Sequence, residues 1–97
     1  MKATYFTVTS EFLKYLGVNN LETDNLNALF HMPEGIIITN IFQDWYDFQR
    51  SCFKVSVEGD FLPLWAERKE GEMMTPCTPK TTLLEDGKIQ WEFIANV

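Results

Sequence analysis

Gly35–Trp65 reads GIIITNIFQDWYDFQRSCFKVSVEGDFLPLW, and the fold turns on how that stretch divides. Its second half is the clearer strand. Phe53, Val55 and Val57 alternate with Cys52, Lys54, Ser56 and Glu58, the period of two expected when one face is buried. The first half, from Ile36 to about Tyr46, is apolar on both sides: Ile36, Ile38, Phe42 and Tyr46 on one, Ile37, Ile41 and Trp45 on the other. Such a strand needs cover on each face, from the chain's own helices or from a second subunit. The connection lies within Tyr46–Ser51 and lacks the Asn-Gly or Asp-Gly of a tight turn, so a loop of roughly four to six residues is expected. Gly59-Asp60 ends the second strand, and Pro63 keeps the apolar run Phe61–Trp65 out of a central ladder.

Toward the N-terminus, residues 3–9 (ATYFTVT) are rich in β-branched and aromatic types and suit a short strand. Ser10 or Thr9 can cap a helix over residues 10–16, with Glu11 at the positive end of its dipole and Gly17 placed to end it. Phe12, Leu13 and Leu16 share its inner side. Asn19-Asn20 is a turn, and residues 21–30 carry helical spacing at Leu26, Leu29 and Phe30 with Thr23 as a cap. The Asn and Asp content leaves a weak helix or a helical turn there, and Pro33 limits it at Met32.

Toward the C-terminus, residues 66–87 lose periodicity. A charged AERKEG precedes MMTPCTPKTT, and Pro76 and Pro79 favour extended or turn conformations. An irregular arm is expected here, its far end held by Leu83 and Leu84. The last segment is a plain strand, since Ile89, Trp91, Phe93 and Ala95 alternate with Lys88, Gln90 and Glu92.

Ninety-seven residues make one domain, spanning 1–97, and an apolar fraction of 45% argues against a disordered chain. Fourteen acidic against eight basic residues, a net charge of −6, argues against sequence-independent nucleic-acid binding and suits a basic partner or a solvated acidic surface. Two cysteines, Cys52 and Cys77, form no disulfide framework, and reduced thiols in a cytoplasmic setting are expected. MKATYFTVTS lacks the apolar core of a signal peptide, and the apolar run Ile36–Ile38 is far short of a membrane span.

No catalytic set, cofactor motif or metal site emerges. His31 stands in a turn without a second ligand and suits a capping or surface role. Neither cysteine has a base beside it. Asp44, Asp47, Glu58 and Asp60 bracket the hairpin, where acids can bind Mg²⁺ or simply solvate strand ends. The stronger feature is the hairpin tip: Trp45, Tyr46 and Phe48 beside Arg50 have the composition of a binding surface or a nucleotide-stacking pocket. They serve equally as a core cluster under the turn. Trp65, Arg68 and Lys69 join the candidate binding set, the two cations as phosphate contacts.

Val8–Gly17 (VTSEFLKYLG), Ile36–Pro63 (IIITNIFQDWYDFQRSCFKVSVEGDFLP), Met73–Pro79 (MMTPCTP) and the closing aromatic strand together resemble, in layout, small accessory proteins of phages and prophages. The longer stretch at 19–33 departs from that layout. The resemblance implies an accessory role, such as countering a host defence system, and assigns no residue.

The expected fold is α+β: a small antiparallel sheet on a central hairpin, one short N-terminal helix and a long irregular Pro-containing segment. The expected function is non-enzymatic, an inhibitor or adaptor that binds a host defence-related protein. The alternatives are an oligomeric sponge for a small nucleotide signal, or a structural subunit of a phage particle. A homo-oligomer, most simply a dimer, would cover the second face of the first hairpin strand.

Overall fold

Thr9 closes one element and opens the next. It ends the central strand β1 (Ala3–Thr9), and its hydroxyl accepts from the Phe12 N–H at 3.1 Å to cap helix α1 (Ser10–Tyr15). Gly17, at φ 84°, then stops α1: its N–H donates to the Lys14 carbonyl, and the Val18 N–H reaches back to Leu13. This paired closure requires a left-handed residue at position 17, which glycine adopts without a Cβ clash. The computed structural model describes residues 1–22, 24–43 and 52–95. Thr23, expected as a cap, therefore lies outside the described residues.

The remaining elements are α2 (Leu26–Leu29), β2 (Ile37–Gln43), β3 (Cys52–Glu58), a single 3-10 turn (Leu64–Ala66), β4 (Thr75–Leu83) and β5 (Ile89–Ala95). Of the weak helix or helical turn expected over residues 21–30, one turn forms as α2, because Asn25 caps the Ala28 N–H and the chain already reverses at His31. His31 adopts φ 54°, an unusual cost for a non-glycine residue. Its Nδ1 accepts from the Ile89 N–H at 3.0 Å, tying the reversal to the first residue of β5.

The strand order is β2-β3-β1-β4-β5. Every neighbouring pair is antiparallel except β1 and β4, which run parallel, so the sheet is mixed and not the antiparallel one expected. The parallel pairing is brief, covering Thr4↔Thr75 and Tyr5↔Pro76. Pro79 explains why. It pairs with Phe93 in a ladder that runs unbroken from Cys77↔Ala95 to Leu83↔Ile89, so its nitrogen must face away from β5 and toward β1. There it has no N–H to donate, and the parallel ladder ends.

The irregular arm expected over 66–87 therefore stops at Met74, and Thr75–Leu83 is a strand. Both prolines lie in it at the cost of pairing on one side only. Nor do the two leucines hold the far end to the core, since Leu83 and Leu84 are 63% and 41% exposed.

A bulge at Thr39 re-phases β2. Ile38 stands opposite Val57 and Ile41 opposite Val55, so both share the core face, whereas strict alternation assigned them to opposite faces. Ile37 and Asn40 pair with Glu58 and Ser56 on the outer face. The core face of β2 thus gains Ile41, and Ile37 stays on the outer one.

Phe6 and Val8 of β1, Val55 and Val57 of β3, and Ile89, Trp91 and Phe93 of β5 form the buried floor of the core. Leu13, Phe30, Leu62 and Ala66 cover it, with Phe12 and Leu16 partly buried at its margin. Trp91 is the hub. Its ring lies 5.4 Å from Phe6, 6.1 Å from Phe30, 6.1 Å from Phe93 and 6.2 Å from Phe12, contacts worth about 0.5–1.5 kcal/mol each beyond area burial. Among the described residues, no helix is long and apolar enough to cross a membrane.

Candidate functional site

At the end of the sheet where β1 and β2 begin and β3 finishes, two glycines bring two loops into contact. A Cβ on Gly59 would collide with the Gly35 carbonyl oxygen, and one on Gly35 with the Phe61 ring. Gly35 also holds φ 85°, a left-handed conformation. Backbone bonds fix both loops, Ile36 N–H to Pro33 O at 3.2 Å and Gly59 N–H to Lys2 O at 3.1 Å. Asn27 secures the edge of β2: its amide donates to Ile36 O at 3.1 Å and accepts from Ile38 N–H at 2.8 Å. One side chain thus copies a neighbouring strand.

These loops enclose an open cleft of about 570 Å³. Met1, Met32, Pro33, Ile36 and Ile37 supply apolar walls, and Glu34, Glu58 and Asp60 supply carboxylates. The volume suits a side chain or small ligand. Among the described residues no lysine or arginine lines it; Lys2 stands nearby with its Nζ on the Asp60 carbonyl oxygen at 3.1 Å. Among the described residues no three His, Cys, Asp or Glu side chains converge closely enough for a metal ion. Phe61 rests against Gly35 beside the cleft and is 77% exposed.

Of the residues singled out in the sequence, Trp45, Tyr46, Phe48 and Arg50 lie outside the described residues, as do Asp44 and Asp47. Trp65 is half-buried against the core. Arg68 and Lys69 stand in the loop after the 3-10 turn, where the Lys2 and Glu67 backbones pair antiparallel and the Arg68 N–H donates to Met1 O. The Arg68 guanidinium donates through Nη1 to Glu72 O at 2.8 Å, and its Nε is buried without a partner among the described residues. This loop sits at the Lys2 end of β1. Gln43 and Cys52, which flank the hairpin tip, stand at the Thr9 end, about 20 Å away along a seven-residue strand. The structure thus does not bring Arg68 and Lys69 toward those flanking residues.

Glu58 and Asp60 were legible as strand-end acids. Glu34 and Ile37 were missed as lining of one cleft, and Phe61 as the ring beside it. The available signal was the repeat of an acid beside glycine, Glu34-Gly35 and Glu58-Gly59-Asp60, but nothing local showed that the two glycines touch.

Cys77 is buried in β4, and burial pushes its thiol up, with a smaller opposing effect from the Thr4 hydroxyl. Cys52 is buried as well. A raised thiol gives little thiolate at neutral pH, the opposite of a nucleophile's environment.

Compared with known families, with curated proteins and with solved structures, the chain matches none.

Proposed function

We propose that this protein is a non-enzymatic binding module, an inhibitor or adaptor that docks a basic segment of a partner protein in the Gly35–Gly59 cleft. One observation carries the reading: three acidic residues and five apolar ones line the cleft together, and among the described residues no lysine or arginine joins them. Charge complementarity of this kind steers a cationic partner and disfavours an anionic one. A partner in a host defence system, met in the cytoplasm by a phage accessory protein, extends the proposal on the strength of the shared layout alone.

Self-association belongs to the same proposal, with Ile37, 52% exposed on the outer face, as its most direct support. A nucleotide-sequestering oligomer is the second reading. The unpartnered Nε of Arg68, beside a groove of about 620 Å³ that Lys69 also lines, favours it. Glu67 and Glu70 line the same groove and oppose a phosphate there.

A photo-crosslinking residue at Ile37, compared with one at Lys80 on β4, tests the docking proposal in cells where the protein acts. A discrete adduct from position 37 alone, lost when Glu34, Glu58 and Asp60 are changed to glutamine and asparagine, supports it. Equal adducts from both positions, or an adduct indifferent to the three changes, would remove it.

A further inference from the structure

The occupant of the cleft follows from the chemistry of its parts, given the docking reading above. We infer that the partner inserts an arginine side chain, its stem along Met32, Ile36 and Ile37 and its guanidinium at Glu58 and Asp60 beside the Phe61 ring.

The cleft lining combines the two chemistries of a long cationic side chain. Its apolar residues suit a methylene stem, and its carboxylates suit a charged head. A purely aliphatic occupant would strip water from the carboxylates and return nothing to them. An acidic occupant would face like charges.

Among the described residues the one ion pair joins the Met1 amino group to Glu67, and no side-chain hydrogen bond engages the carboxylates of Glu34, Glu58 or Asp60. Lys2 binds a backbone carbonyl at this end.

Phe61 decides between the two long cations. Its ring is held against Gly35 because that residue has no side chain, and its outer surface is open. A guanidinium is planar and weakly hydrated, and it can stack on a ring while still donating to carboxylates. An ammonium is compact and strongly hydrated, and it loses more on leaving water.

The test is a titration of the full-length, nitrogen-15-labelled chain with three capped tripeptides, leucine–X–leucine with arginine, lysine or glutamate at the centre. The arginine peptide should shift the amides of Gly35, Ile37, Gly59 and Asp60. It should bind roughly two- to fivefold tighter than the lysine peptide, the factor a stacking contact supplies at an exposed site. The glutamate peptide should shift none of them.

Phe61→Ala should erase the arginine preference, and the pair Glu58→Gln with Asp60→Asn should abolish binding of both cationic peptides. Unchanged amide spectra away from the cleft establish that each variant is folded. Equal binding of arginine and lysine in the cleft would overturn the inference and leave the docking reading standing. Failure of every cationic peptide to move these amides would overturn both.

Discussion

The Trp91 indole N–H donates to the Phe30 carbonyl at 2.7 Å while the two rings stack 6.1 Å apart at an interplanar angle of 24°. A strand and a helix end are thereby joined twice, once by a directional bond and once by packing. Phe30 follows the single turn of α2, which is too short to be stable by itself. The bond therefore fixes Asn25–Met32 against the sheet, and with it Asn27 on the edge of β2.

Trp91→Phe keeps an aromatic ring but leaves the buried Phe30 carbonyl unpaired. It should cost about 2–3 kcal/mol, combining an unsatisfied acceptor with lost ring volume. Urea denaturation followed by far-ultraviolet circular dichroism measures this. A loss below about 0.5 kcal/mol would mean the bond is not formed or is readily replaced by water.

Two glycines should respond to alanine very differently. Gly17 has no atom within 4 Å of an added Cβ, so Gly17→Ala meets only the cost of its φ of 84°, about 1–2 kcal/mol. Gly59→Ala would drive a methyl group into the Gly35 carbonyl and should cost about 3 kcal/mol or more, because backbone cannot yield there without moving β2. Thermal melts of the two variants check the contrast, and equal losses would contradict the close approach of the two loops.

Acid should weaken the loop before α2. The Asp24 carboxylate accepts from the N–H groups of Asn19 at 2.7 Å and Asn20 at 3.0 Å, bonds that hold it below its ordinary value of 3.8, with the Asn20 bond the larger influence. A depressed carboxyl contributes stability that is present above pH 3.8 and is lost as pH falls through its folded value. Asp24→Ala should therefore be less stable than the parent at pH 7, with the gap closing below pH 3.8. Paired urea titrations at the two pH values test this, and a gap independent of pH would refute the assignment.

The thiols offer a measure of how seldom the sheet opens. Both cysteines are buried, and burial raises the Cys77 thiol further from reactivity. Labelling by a neutral disulfide reagent should be slow in the native protein and rapid in urea for both. Fast native labelling of Cys77 would show that β4 separates from β1 at their short parallel junction.

Legibility of this fold followed locality. β3 and β5 could be read because alternation is written in consecutive residues, Phe53-Lys54-Val55 being the plainest case, and β1 from its run of β-branched and aromatic types. β4 was hidden by Pro76 and Pro79, which read as breakers until their nitrogens are seen to face positions that need no donor. The Thr39 bulge reversed the face of Ile41, a shift that alternation by itself cannot reveal. The cleft was the least legible part, since Glu34 and Asp60 are joined only through the approach of Gly35 and Gly59. The aromatic tip around Trp45 to Arg50 drew more notice in sequence because its residues are contiguous.

The central claim is that the acid-rimmed cleft is the docking surface. Its most direct measurement is titration calorimetry of the partner captured at position 37 into the parent protein and into the Glu34→Gln, Glu58→Gln, Asp60→Asn variant. The account predicts at least about a tenfold loss of affinity in the variant, the equivalent of roughly 1.4 kcal/mol, and a loss that shrinks as salt is raised. Equal affinity for both proteins at low salt would contradict it.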